Sequence, residues 1–109
     1  MQIVSWHRGE TRAFDILPED HSGASVAASY LQAQMRVGRG YGCACVMVEG
    51  VPADLDDGTV QGAGFRFGLN DAALGAVPNG LHGFSIWLRS SAGWECVSDD
   101  FAINIPRAC

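Results

Sequence analysis

Apolar and polar residues alternate with a period of two in three segments of the chain, 30–37, 82–89 and 101–105. A β-strand with one buried and one solvated face has this period, because successive side chains point to opposite faces. We therefore predict a half-buried strand in each segment. Pro106 ends the third, because proline cannot donate a hydrogen bond to the ladder. The predicted inward residues are Leu31, Ala33, Met35, Val37, Phe84, Ile86, Leu88, Phe101, Ile103 and Ile105.

Weaker strand patterns occur in four further segments, 3–6, 12–17, 43–49 and 60–69. The run 43–49 is almost wholly apolar, which is typical of a central strand buried on both faces. The segment 60–69 places Phe65, Phe67 and Leu69 on one face, opposite glycines. Glycines along one strand face predict a bulge or the close approach of another backbone.

Turn-forming residues separate these segments, and one of the turns has helical character. Asn70 is a helix N-cap residue followed by Asp71 and two alanines, while Gly75 and Pro78 close the segment. Strands recur roughly every 10 to 15 residues, close to the spacing of a β-sandwich. We therefore predict an all-β protein: an immunoglobulin-like β-sandwich of about seven to eight antiparallel strands, with one short helical turn near residues 70–75. The length of 109 residues leaves room for one core, so residues 1–109 are predicted to form a single domain.

Charge and hydropathy restrict the classes of function. The net charge is −5, and the seven basic residues are all arginine. Nucleic-acid-binding surfaces need clustered positive charge, so we expect no nucleic-acid partner. The apolar runs are too short to span a bilayer, and segment 1–10 is too polar for an export signal. We therefore expect no membrane partner, and a protein kept in a cytoplasm or released as part of a larger particle.

The four cysteines allow several interpretations. Buried, reduced thiols are the favoured one, because the chain has enough apolar residues to fold without disulfides. A disulfide between Cys45 and Cys96 is an alternative, by analogy with bridges between the sheets of a sandwich. Cys43 and Cys45 share a strand face and could supply half of a metal site, and Cys109 could form an intermolecular bond. No second metal-binding motif supports the metal site, so we predict no cofactor.

No arrangement of residues predicts catalysis. His7, His21 and His82 have no partner nearby in sequence, and no serine lies in a nucleophile elbow. The acidic pairs lie in turns and offer too few oxygens for calcium. We therefore predict that the protein is not an enzyme.

Large side chains on the solvated strand faces predict a contact surface. Trp87, Arg36 and Arg89 project from these faces, and Tyr30 begins one of them. Exposed aromatic residues mark contact surfaces, and arginine is enriched there. We therefore nominate these four residues as interface candidates. Stacking of Trp87 and Tyr30 on a sugar is the alternative, whereas Trp6 and Trp94 are assigned to the core or to covering an edge.

Six short motifs follow one another along the chain: "RAF" at 12–14, an Asp-x-Ser-Gly turn at 20–23, "AQMR" at 33–36, "DG" at 57–58, the half-turn 70–74 and "PNGLHGF" at 78–84. In this order they resemble a class of small phage-particle domains related to the N-terminal sandwich of upper baseplate proteins. The resemblance runs from Thr11 to Ile105, and Cys43, Cys45 and Cys109 lie outside its pattern.

This resemblance implies a structural virion protein, assembled in the host cytoplasm on the tail, baseplate or fibre-attachment region of a phage or phage-like particle. Its partners would be other virion structural proteins and further copies of itself in a symmetric array. A capsid decoration protein is one alternative. A carbohydrate-binding or adhesive module is the other.

Overall fold

The computed structural model describes residues 2–18, 30–38, 46–56 and 61–107. Its elements are β1 (Gln2–Ser5), β2 (Arg12–Ile16), β3 (Gln32–Val37), β4 (Val46–Asp56), β5 (Gln61–Leu69), α1 (Asp71–Leu74), β6 (Gly80–Ser90) and β7 (Gly93–Ile105). The seven strands form one mixed sheet in the order β1-β7-β6-β3-β4-β5-β2, curled into a half-barrel. The all-β class and the short helical turn are confirmed. The strands belong to one continuous ladder, where the sequence predicted two separate sheets.

Strand β4 joins the two halves of the curled sheet. Residues Val46–Glu49 pair with β3, whereas residues Gly50–Asp56 pair with β5 on the other side. The change of partner falls between Glu49 and Gly50. A strand that changes partner in this way lets the sheet turn without breaking its hydrogen-bonded ladder.

Gly50 sits at this corner because a side chain would not fit there. An added Cβ would lie 3.0 Å from the Ala33 Cβ and 3.0 Å from Cε1 of Phe67. Both neighbours are fully buried, so the ring of Phe67 and the methyl group of Ala33 pack directly on the Gly50 backbone. The missing side chain thus brings the two halves of the sheet together.

Aromatic rings close the other end of the curl. Phe14 on the edge strand β2 makes edge-on contacts with Phe84 and Phe101, at centroid distances of 5.7 and 5.6 Å. Phe84 and Phe101 are register partners on β6 and β7, and their rings are stacked at 5.1 Å. Edge-to-face and offset-stacked pairs are the favoured geometries of aromatic rings. The core therefore lies between the β2–β5 half and the β6–β7 half, and Phe14 and Ile16 face it as predicted.

The predicted purely antiparallel sheet is wrong at one position, because β1 pairs with β7 in parallel. Trp6 follows β1 directly and is fully buried. Its backbone N–H donates to the Asn104 carbonyl at 3.0 Å, and its indole N–H donates to the Glu10 carbonyl at 2.9 Å. These bonds anchor the segment that carries the chain from β1, at one edge of the sheet, to β2, at the other. The parallel partners β1 and β7 are the first and last strands in the chain, so they are joined through all the other strands.

Of the two alternatives predicted for segment 60–69, a bulge or the close approach of another backbone, the bulge is wrong for the described residues. β5 keeps an unbroken register with both β2 and β4 over the paired residues. The irregularities lie instead in the β6–β7 pair, where the register shifts between Phe84 and Ile86 and again between Ile86 and Trp87. At each shift β7 has one more residue than β6, so β7 is bulged there. The bulges change the direction in which the side chains of residues 93–98 project.

The described part of segment 43–49 does not have the double burial that its apolar run predicted. Val48 is 5% exposed, whereas its neighbour Met47 is 58% exposed. The sheet is covered on one face only at this point, so β4 alternates like the other strands. The remainder of the segment, 43–45, lies outside the described residues.

We predict that Gly50→Ala destabilises the protein, because the new methyl group meets packed core atoms on two sides. The expected cost is about 1–3 kcal/mol, seen as a lower midpoint in thermal unfolding followed by circular dichroism. Gly68→Ala is the matched control, since its nearest contact would be the Asn70 side-chain nitrogen at 3.5 Å. The control is expected to stay within about 0.5 kcal/mol of the parent. Equal losses in the two variants would contradict the role assigned to Gly50.

Candidate functional site

The outward side chains of β3, β4, β6 and β7 form a continuous surface, which we call the outer face. Strand register arranges these side chains in rows across the sheet. From β4 towards β7 the rows are Met47, Arg36 and Ser85; then Glu49, Gln34, Trp87 and Cys96; then Gln32, Arg89 and Trp94.

Two arginines and two tryptophans interlock on the outer face. The Arg36 guanidinium lies 4.2 Å from the ring centroid of Trp87 and 5.3 Å from that of Trp94. The Arg89 guanidinium lies 6.0 Å from the Trp94 centroid. Within about 6 Å, a guanidinium is attracted to the electron-rich face of an indole. We call these four residues the tryptophan–arginine surface.

Hydrogen bonds hold the side chains beside this surface in one arrangement. The amides of Gln32 and Gln34 donate to the two oxygens of Glu49, at 2.8 and 2.6 Å. Arg36 Nε donates to the side-chain oxygen of Gln34 at 3.0 Å, so the network reaches the arginine that stacks on Trp87. Side chains already ordered in this way lose less rotamer entropy when a partner binds.

Trp87 is fixed as well, because its indole N–H donates to the Ser85 hydroxyl at 2.8 Å. The two residues lie two positions apart on β6 and so share the outer face. Trp87 is half-buried although it projects from the solvated side, since its neighbours on β3 and β7 cover part of the ring. The ring is therefore rigid without belonging to the core.

Trp94 is the residue of this surface that sequence analysis missed, because it was assigned to the core or to an edge. The turn between β6 and β7 decides on which face Trp94 lies. Ser90 pairs with Gly93, and Gly93 has φ +117°, a conformation that favours glycine. With this turn, Arg89 and Trp94 become direct partners. Projecting the register through the turn would have placed Trp94 beside Arg89 on the outer face.

Tyr30 does not lie with the other three interface candidates. It precedes β3, packs against the core, and donates its hydroxyl proton to Glu95 Oε1 at 3.2 Å. Leu31, expected to face inward, is 65% exposed. The alternation of β3 thus begins only at Gln32, which is why both facings were wrong. Partial burial, together with the hydrogen bond and negative charge of Glu95, raises the pKa of Tyr30 above its ordinary value.

Of the four cysteines, Cys96 alone lies among the described residues, so the structure tests the cysteine predictions at that residue. Cys96 is an exposed free thiol on the outer face, so it does not have the burial expected of it. Its Sγ lies 3.6 Å from the Ser98 carbonyl oxygen. Cys45, its proposed disulfide partner, lies outside the described residues, as do Cys43 and Cys109.

Residues with acid–base or metal-binding chemistry are dispersed. Within the described ranges, no three His, Cys, Asp or Glu residues are grouped as metal ligands would be. The His82 ring nitrogen Nε2 lies 2.8 Å from the Pro78 carbonyl oxygen, which ties it to the turn before β6. His21 lies outside the described residues. In the same part of the chain, no helix is long and apolar enough to cross a membrane.

In comparisons of sequence and of structure, no family model, curated protein or solved structure matches this chain.

We predict that Tyr30 ionises at higher pH than an unperturbed tyrosine. Subtracting the alkaline absorbance titration of Tyr30→Phe from that of the parent isolates it from Tyr41. Because the folded-state pKa is raised, the native state binds more protons than the unfolded state, and stability is lost as pH rises through that pKa. Glu95→Gln should return the pKa only part of the way, since burial is the larger cause. The control Asp99→Asn removes the same charge from β7. An unchanged pKa in Glu95→Gln would contradict the assigned contact.

Proposed function

We propose that this chain is a structural protein of a bacteriophage or phage-like particle, assembled in the host cytoplasm. It takes part in the tail, baseplate or fibre-attachment region as one of many copies, beside other virion proteins. In this proposal it holds a place in an assembly and catalyses no reaction. The observation that carries the proposal is the tryptophan–arginine surface, and the choice of particle comes from the sequence resemblance.

The composition of the outer face favours a protein partner. Tryptophan, arginine and methionine are the residue types enriched at protein interfaces, and tryptophan and arginine dominate binding hot spots. Trp87 and Arg36 lie near the middle of the outer face, and Met47, 58% exposed, is the direct neighbour of Arg36 on β4. Half-buried, ordered residues surrounded by polar ones resemble the centre and rim of an interface.

We also propose that the curled sheet is a variant of the immunoglobulin-like sandwich. The contacts of Phe14 with Phe84 and Phe101 set the β2–β5 half of the sheet across the core from the β6–β7 half. Two sheet faces packed on one core are the principle of a sandwich. The strand that changes partner, β4, then corresponds to a strand shared by both layers.

Sugar binding is less favoured by the same geometry. A sugar-binding tryptophan presents an open ring face for stacking, whereas Arg36 already lies 4.2 Å from the centroid of Trp87. Tyr30, the second candidate platform, packs against the core instead. The two rings therefore do not form a shared open platform.

We expect Trp87→Ala to weaken assembly much more than folding. The truncation removes a ring that is half exposed, so its thermal midpoint should stay within a few degrees of the parent's. Incorporation into particles from the producing host, quantified by mass spectrometry, should fall at least about tenfold, since interface tryptophans often contribute about 2 kcal/mol or more. Ile3→Ala, which truncates a 56% exposed residue on the edge strand β1, is the control and should be incorporated normally.

Two outcomes would overturn the proposal. One is a chain that is absent from purified particles, stays monomeric and binds on a glycan array. The other is a Trp87→Ala variant that is incorporated like the parent.

A further inference from the structure

Arg36 and Arg89 are cations without a carboxylate partner among the residues that the structure describes. Three other described arginines have oxygen acceptors for their N–H groups, and one of them, Arg12, donates to the Ser5 carbonyl oxygen. Arg66 is paired with Asp15 through bonds of 2.8 and 3.1 Å, and Arg8 donates to the Val77 carbonyl oxygen at 2.6 Å. Arg36 and Arg89 both lie near indole rings, and Arg36 also donates its Nε–H to the neutral side-chain oxygen of Gln34. An indole ring attracts a guanidinium but does not neutralise its charge.

The two guanidiniums approach the same ring, that of Trp94: Arg36 lies 5.3 Å and Arg89 lies 6.0 Å from its centroid. Arg36 uses its Nε for Gln34, which fixes the plane of the group and leaves its terminal nitrogens for another acceptor. A guanidinium with a fixed plane is preorganised for two parallel hydrogen bonds to a carboxylate.

We propose that the tryptophan–arginine surface binds an acidic segment of a partner protein, with its carboxylates on Arg36 and Arg89 and an aliphatic side chain against Met47. This inference rests on the proposed function and names the chemistry of the partner at that surface. Charge complementarity carries it: two cations approach one ring, and neither forms an ion pair with a carboxylate among the described residues. Met47 is the register partner of Arg36 and is 58% exposed, so it offers apolar contact beside the charge.

Other anionic ligands fit the surface less well. A nucleic acid needs a track of positive charge along its backbone, whereas here two cations stand on a chain of net charge −5. An acidic sugar needs an open ring to stack on, and Arg36 lies over Trp87. A peptide carboxylate needs only the paired N–H groups that remain.

The test is a titration of the full chain with a short synthetic peptide rich in aspartate and leucine, followed by tryptophan fluorescence and calorimetry. The same peptide with asparagine in place of aspartate is the neutral control. We expect the acidic peptide to bind at least about tenfold more tightly than the neutral one, with an affinity that falls as salt rises. Arg36→Gln and Arg89→Gln should each weaken binding about tenfold, as expected for loss of a charge-assisted bond.

Arg66→Gln is the matched control, because it removes an equal charge from an arginine that already has a carboxylate partner, and it should bind like the parent. Thermal unfolding verifies that each variant is folded. Arg89→Lys retains the charge and loses the fork of donors, so it should bind between the parent and Arg89→Gln. Equal affinity for the acidic and neutral peptides, or equal losses in Arg66→Gln and Arg89→Gln, would overturn the inference. Tighter binding of polygalacturonate or of a single-stranded oligonucleotide would overturn it in favour of a different partner class.

The two proposals fail separately. Particles that incorporate the chain while the acidic peptide does not bind would leave the structural role standing and remove the acidic segment. Peptide binding by a chain that is absent from particles would leave the acidic-segment site standing and remove the structural role.

Discussion

The packing of Phe67 and Ala33 on the bare backbone of Gly50 is the contact on which the architecture depends. At this residue β4 stops pairing with β3 and begins pairing with β5. A Cβ here would come within 3.0 Å of both neighbours, a separation that packed cores do not tolerate without shifts. A flat sheet would expose one apolar face entirely. By turning at Gly50, the sheet brings that face inward, so that its two halves face each other across the core.

The rest of the core follows from this turn. Once the sheet curls, Phe14 on one edge reaches Phe84 and Phe101 on the far half, and Trp6 seals the end beside β7. The apolar residues predicted from the period of two mostly line the interior. Curvature also separates the two faces, because the concave side becomes dry and the convex side remains in water. The two tryptophans on the convex side, Trp87 and Trp94, are therefore separated from the core by the sheet.

Period-two patterns predicted the strands because successive side chains of a strand point to opposite faces, so a strand with one buried face alternates apolar and polar residues. They correctly placed Phe65 and Phe67 inward and put Arg36 and Trp87 on the solvated side. They failed where a non-local feature decides the facing. The bulges on β7 depend on its pairing with β6, and the parallel position of β1 depends on the burial of Trp6. Neither leaves a local period, and the missed Trp94 follows from the register across a turn.

The outer face also separates the side chains that form the core from those that the proposed interface would use. Its ordered side chains hold one another through the Glu49 carboxylate and the Arg36 guanidinium on the convex side, whereas the close contacts of the Gly50 corner, with Ala33 and Phe67, lie on the core side. Removing a core contact lowers the free energy of unfolding, whereas removing an exposed outer-face side chain is expected to change it little. Ordering the Arg36 side chain over Trp87 costs rotamer entropy, and an aliphatic side chain would cover the ring without the desolvation of a charge. In the proposed interface, a partner that accepts the hydrogen bonds of Arg36 would offset this cost.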